Sequence, residues 1–182
     1  MTAIIIIAVV AVLVLWIISS QRKLVNAEEL TKNAMSQIGV QQSSRWDALS
    51  ALVELLKSYN EHEYNTLKDV ISARAGINSN STAAEAQAQD DAFNSAMKQI
   101  NVVVERYPEL KADSMYQKTM DSVNTYENQV RMSRMTYNDS VTRYNRLTRQ
   151  IPDSIVASLF RFGEKQYLQE DKAKKDMPSL KI

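Results

Sequence analysis

The chain has 182 residues, 22 basic and 21 acidic side chains, and no cysteine. Near-neutral charge excludes the broad positive field that draws a nucleic acid, and the lack of cysteine excludes disulfides, thiol nucleophiles and thiolate-held metal. Three glycines and three prolines punctuate the chain so rarely that few turns and long helices are expected.

Residues 3–18 read AIIIIAVVAVLVLWII, without a charge, glycine or proline. As a helix this run rises about 24 Å, a little under the ~30 Å hydrocarbon core of a bilayer. Thr2, Ser19 and Ser20 extend it, Trp16 suits the interface, and Arg22 and Lys23 can snorkel to headgroups. A cleaved signal peptide needs a basic leading region and small residues at its cleavage site, and neither is present. The run therefore predicts a retained membrane anchor, with Ile4, Val10, Leu13 and Trp16 facing lipid. Positive charge follows the anchor and none precedes it, which places the N-terminus outside and the rest of the chain in the cytoplasm.

Between residues 24 and 74 there is no proline, and the one glycine is Gly39. Leu24, Ala27, Thr31, Ala34, Ile38, Arg45, Leu49, Leu52, Leu56, Tyr59, Glu63, Leu67, Val70 and Arg74 recur at helical intervals, mostly four and three from Arg45 on. This predicts one helix running unbroken from the anchor to about Arg74, with a slight bend at Gly39. Residues 76–81, GINSNS, form a turn. Thr82 with Glu85 makes a capping box that opens a second helix, whose seam is Phe93, Met97, Ile100, Val104 and Tyr107. Pro108 ends it. Asp113 caps a third helix, closed near Pro152, whose seam is Tyr116, Met120, Val123, Glu127, Val130, Arg134, Tyr137, Val141, Tyr144 and Thr148. Its steps alternate four and three throughout. A short fourth helix around IVASLF stops at Gly163, and residues 164–182 alternate charges without an apolar face, as a disordered tail does.

The expected fold is all-α: a transmembrane helix (residues 1–23 with its basic flank) continuous with an elongated antiparallel bundle of three long helices and a short fourth (24–163). In that topology the fourth helix and tail lie far from the bilayer. Leu24, Ala27, Ala34 and Ile38 are left uncovered near the membrane, and such a stripe asks for a partner.

Five charged residues, Arg45, Glu63, Arg74, Glu127 and Arg134, occupy seam positions where apolar residues are the norm. An unpaired buried charge costs several kcal/mol, on the order of 3–5, so ion pairs that set helix register are the expectation. An acid–base site would need further catalytic groups beside them, and no nucleophile elbow or glycine-rich loop accompanies them. His62-Glu63 lacks the second histidine of a zinc motif, position 66 being Thr66, so no metal or other cofactor is expected. Tyr137-Asn138 and Tyr144-Asn145 repeat one heptad apart, with Tyr59-Asn60 similar, and read as core rings with polar register marks. Arg143, Arg146 and Arg149 favour the end of the third helix through its dipole; without interleaved aromatics they do not make a nucleic-acid site.

The ordered set of Leu24-Val25, Ser36-Gln37-Ile38, Arg45, Asp47, Leu52-Val53-Glu54, Tyr59, His62-Glu63, Ala73-Arg74, YPELKA from Tyr107, Glu127-Asn128, YNDSV from Tyr137, Tyr144-Asn145, Pro152 and Ala157, Leu159, Phe160, Phe162 resembles the LemA family of bacterial membrane proteins. The resemblance implies an N-terminal membrane helix and an elongated antiparallel helical domain. Ser44 stands where the family often has arginine, Ser50-Ala51 where it has Pro-Asn, and Arg161 where it has glycine. The functional expectation is a non-enzymatic scaffold at the bacterial inner membrane, in contact with lipid. It self-assembles into a homo-oligomer through Leu24, Ala27, Ala34 and Ile38. The alternative is a monomeric tether whose distal tip, with Phe160 and Phe162, recruits a soluble protein.

Overall fold

The computed structural model describes residues 1–57, 61–72 and 74–169, without the side chains of Thr66 and Val70. Tyr59, Asn60, Ala73 and residues 170–182, which carried some of the expectations above, lie outside the described residues. Six helices and no strand occur among the described residues: α1 Thr2–Leu56, α2 Glu61–Ile71, α3 Ala83–Arg106, α4 Pro108–Ala112, α5 Ser114–Arg149 and α6 Asp153–Leu159. The all-helical expectation holds.

Helix α1 is unbroken for 55 residues and passes through Ser19, Ser20 and Lys23 without a joint. It ends at Leu56, whereas the seam pattern carried it on to Arg74. The chain reverses there, and α2 runs back along α1. Tyr64 Oη donates to Glu54 Oε1 at 2.8 Å, Arg74 reaches Asp47 at 2.5 Å and also contacts Ser43, and Ile77 lies against Gly39. The seam periodicity continued across the reversal because both α1 and α2 bury an apolar stripe. Glu61 and Glu63 in the first turn of α2 and Lys68 in its last suit a separate helix with its own dipole. The contact with Ile77 also corrects the role of Gly39. A Cβ there would sit 2.1 Å from the Ile77 carbonyl oxygen, so the glycine admits a crossing backbone and is no mere bend.

Thr82 and Glu85 form the full capping box of α3. This helix rises beside α1 from the level of Gln42, which donates to the Ala86 carbonyl, to the far end, where Arg106 meets Glu63. Pro108 opens the one-turn α4, and Asp113 caps α5 by accepting from the Met115 and Tyr116 amides. The 36 residues of α5 span about 54 Å, close to the ~50 Å of α1 beyond Lys23. Since α1 reverses at Leu56, α5 starts at the far tip and returns fully to the anchor.

The fourth helix of the sequence reading, α6, therefore sits beside the anchor, which corrects its expected distal place. Ser20 Oγ donates to Asp153 Oδ1 at 2.6 Å, and Leu24 packs with Val156 and Ala157. Arg161 follows with φ 59°, the left-handed region that costs a non-glycine residue about 1 kcal/mol or more.

Residues 164–169, expected to begin a disordered tail, instead run as an extended strap up the bundle, antiparallel to α5. Leu168 is buried with Ala34, Met35, Ile38, Tyr137 and Val141. The strap covers the α1–α5 seam below the point where α3 begins. Leu24, Ala27, Ala34 and Ile38 are consequently buried inside the single chain and are no free stripe. The proposed contact through those four residues is corrected on this ground.

Candidate functional site

The densest polar arrangement is a charged layer at mid-height. Arg45 comes from α1, Asp90 from α3, and Glu127 and Arg134 from α5. Arg45 is 1% exposed. It donates to Asp90 Oδ1 at 2.6 Å and to Glu127 Oε2 at 2.5 Å. Arg134 donates to the other Asp90 oxygen at 2.5 Å, and also to Gln87 Oε1 and the Gln169 carbonyl. Asp90 thus spends one oxygen on each guanidinium. The face of Arg45 lies 3.9 Å from the centre of the Phe93 ring, which in turn meets Trp46 edge-on. A cation over a desolvated ring adds attraction to its ion pairs. Gln42 Oε1, Arg45 Nε and Trp46 Nε1 are buried in this stretch of α1 without a hydrogen-bond partner. Such atoms cost about 1–3 kcal/mol each.

The sequence pattern picked out Arg45, Glu127 and Arg134 but missed Asp90, the residue that joins them. A signal existed. Stepping back from Phe93 by three, four and three reaches Asp90, Ala86 and Ala83, all of them buried. Glu63 and Arg74 do not join this layer. Glu63 pairs with Arg106 at 2.8 Å near the tip, and Arg74 pairs with Asp47 on the surface. An exposed pair of the latter kind contributes ~0–1 kcal/mol. No cluster of three or more metal-ligating side chains occurs among the described residues.

A second arrangement explains the Tyr-Asn repeat. Asn145 Nδ2 donates to the Lys165 carbonyl at 2.9 Å while its Oδ1 accepts from the Lys165 amide at 2.9 Å. Asn138 does the same with Leu168, at 3.0 and 2.9 Å. Each side-chain amide pairs with both backbone groups of one strap residue, as a neighbouring strand would. The spacing fits: seven helical residues rise about 10.5 Å, and three extended residues cover about 10 Å. Tyr137 Oη donates to the Gln166 carbonyl between the two clamps. Burial pushes the Tyr116, Tyr137 and Tyr144 hydroxyls above their ordinary pKa. At the start of the strap Arg149 Nε donates to Glu164 Oε1 at 2.7 Å. That hydrogen bond, with the opposite charge, lowers the Glu164 carboxyl from its ordinary pKa and raises Arg149.

The expected partner-contact residues at the end of the chain lie apart from both arrangements. Phe162 packs against the Leu24 cluster, and Phe160 is half exposed beside the anchor. Among the anchor residues Ile4, Val10 and Leu13 are exposed along α1, and Trp16 packs partly against α6. The first part of α1 is long and apolar enough to cross a membrane, with mean hydropathy 3.0 over its best window.

The fold and the layer define a class: an all-helical protein whose helices are locked by a buried guanidinium–carboxylate network, with a long apolar N-terminal helix. Residues 34–182 match the model of the LemA family, and the chain belongs to that family. No curated protein matches it in sequence.

Proposed function

We propose that the chain is a non-catalytic scaffold of the bacterial inner membrane, anchored by residues 3–18, with its bundle standing off the cytoplasmic face as a stiff strut. The observation that carries this reading is the continuity of α1. One helix holds both the apolar run and the strut's core face, and Asp153 pins it at Ser20 and Lys23, where a flexible leash would need a joint. The charged layer suits the same role. Its carboxylates and guanidinia are spent on one another, which fixes the register of three helices.

Self-assembly then uses a face other than the buried stripe. Along one side of the α1–α5 pair three shallow depressions stay open, lined by Leu30, Gln37 and Thr136, by Gln41, Gln129 and Met132, and by Ser44, Ala48 and Ser122. The α1 positions step by seven, four, three and four, the spacing of a seam that accepts another helix. Leu30 and Met132 are 54% and 58% exposed on it. Mass photometry of the full-length protein in detergent tests the reading: the native chain is expected as an oligomer, and Leu30→Glu with Met132→Glu as a folded monomer. A native monomer at micromolar concentration refutes assembly.

The second reading, a monomeric tether, gains support from Val102 and Met115, both more than half exposed at the far tip. A soluble partner would dock there and not at Phe160 and Phe162, which lie at the membrane end. Val102→Glu with Met115→Glu would abolish its capture without altering oligomeric state.

A further inference from the structure

We propose that α6 is a membrane foot, its outer apolar face seated in the acyl–headgroup boundary of the bilayer that α1 crosses. The inference rests on the reading of residues 3–18 as an anchor. Three observations carry it.

The first is level. Val156 and Ala157 on the inner side of α6 pack with Leu24, and Trp16 and Ile17 pack against the same cluster. Helix α6 therefore stands beside the last turn of the apolar run and the first turns after it, where hydrocarbon gives way to headgroups.

The second is exposure. Ile155 and Leu159 lie one turn apart on the side away from Ala157, and Ile151 and Phe160 bracket the helix. They are 60%, 68%, 82% and 49% exposed. A seven-residue helix that buries one apolar side in protein and shows another at this level is suited to lipid, not water.

The third is charge. The single carboxylate between residues 151 and 161 is Asp153, which turns inward to Ser20 and Lys23. Two exposed cations stand at this end, Lys23 beside Asp153 and Arg161 two residues past Leu159, as anionic headgroups favour.

A foot of this kind fixes the angle between strut and membrane. The anchor alone leaves α1 free to tilt; a second apolar contact to one side of it does not.

Because the chain has no cysteine, single cysteines carry an environment-sensitive fluorophore cleanly. The full-length protein is reconstituted in vesicles of phosphatidylcholine and phosphatidylglycerol, labelled at Ile155→Cys, Leu159→Cys, Leu13→Cys or, as an exposed position on α3, Ser95→Cys, and quenched with lipid nitroxides at shallow or deep positions. Labels at 155 and 159 are expected to shift to the blue and to be quenched several-fold more than the label at 95, best by the shallow nitroxide. The label at 13 is expected to be quenched best by the deep one. If 13 is quenched while 155 and 159 behave as 95 does, the foot is refuted and the anchor stands. An unquenched label at 13 refutes the anchor and the foot with it. Blue-shifted labels at 155 and 159 that lipid nitroxides do not reach mean that protein covers the patch, and this too overturns the proposal.

Discussion

Asp90→Asn tests whether the charged layer holds the three helices in register. The substitution keeps size and shape but removes the charge that both Arg45 and Arg134 face at 2.6 and 2.5 Å. Arg45 is 1% exposed and cannot recover water. It keeps Glu127, whose side chain is 30% exposed, so the layer loses one of its two carboxylates. Breaking a buried pair costs about 3–5 kcal/mol. The asparagine oxygen still accepts from one guanidinium, which returns about 1.5 kcal/mol, while its amide group points a donor at the other. A net loss of about 2–3 kcal/mol is expected, and for a chain of this size that lowers Tm by roughly 5–10 °C. Helix melting followed by circular dichroism of the full-length protein in non-ionic detergent measures it. Arg45→Met alone should cost as much, and Arg45→Met with Asp90→Leu should cost less than the sum of the singles, because no charge is then stranded between them. A drop of less than about 2 °C for Asp90→Asn would place the stability of the bundle in its apolar clusters alone.

Gly39→Ala separates two effects of opposite sign. Helix propensity alone stabilises by about 0.8–1 kcal/mol. The new Cβ, however, would lie 2.1 Å from the Ile77 oxygen and 2.8 Å from its carbonyl carbon, and displacing packed backbone costs about 1–3 kcal/mol. A lowered Tm is expected, and a raised one would show that the crossing segment moves at no cost. Asn145→Ala removes both hydrogen bonds to Lys165, at about 0.5–1.5 kcal/mol each. Its signature is faster amide exchange at Lys165 and Leu168 with α5 itself unchanged. The paired Glu164 has its pKa depressed in the folded chain, so the stability it contributes is present above the ordinary value of 4.5 and is lost as pH falls through the lower folded value. The buried tyrosines, with raised values, act at the other end. Their contribution is complete below the ordinary value of 10.0 and disappears as pH climbs through the folded ones. A Tm profile flat from pH 5 to 9 and falling on both sides is expected, and Glu164→Gln should flatten part of the acid limb.

The helical class, the apolar leader, the capping box at Thr82, the cap at Asp113 and the α5 seam could all be read without coordinates. Each depends on neighbours within about two turns, and side-chain periodicity records those directly. Arg45, Glu127 and Arg134 stood out for the same reason, as charges on an apolar stripe. Asp90 was hidden in a polar, alanine-rich stretch where no large apolar residue marks the buried side until Phe93.

What only the tertiary structure decided was direction and cover. The seam period runs on from α1 into α2, and periodicity is blind to a reversal that leaves both helices with a buried face. The antiparallel course of α2 along α1 moved the far tip, returned α5 to the level of the apolar run and brought α6 beside it. The strap escaped notice because it buries little through its own side chains, Leu168 apart. It is held by its backbone, through Asn138 and Asn145, and a backbone partner leaves almost no trace in the composition of the segment it holds. By itself, then, the sequence determined which stretches are helical and which residues lie on their inner faces. The long-range partners that cover those faces were decided by contacts between residues more than a hundred positions apart, such as Ser20 with Asp153 and Glu28 with Lys165.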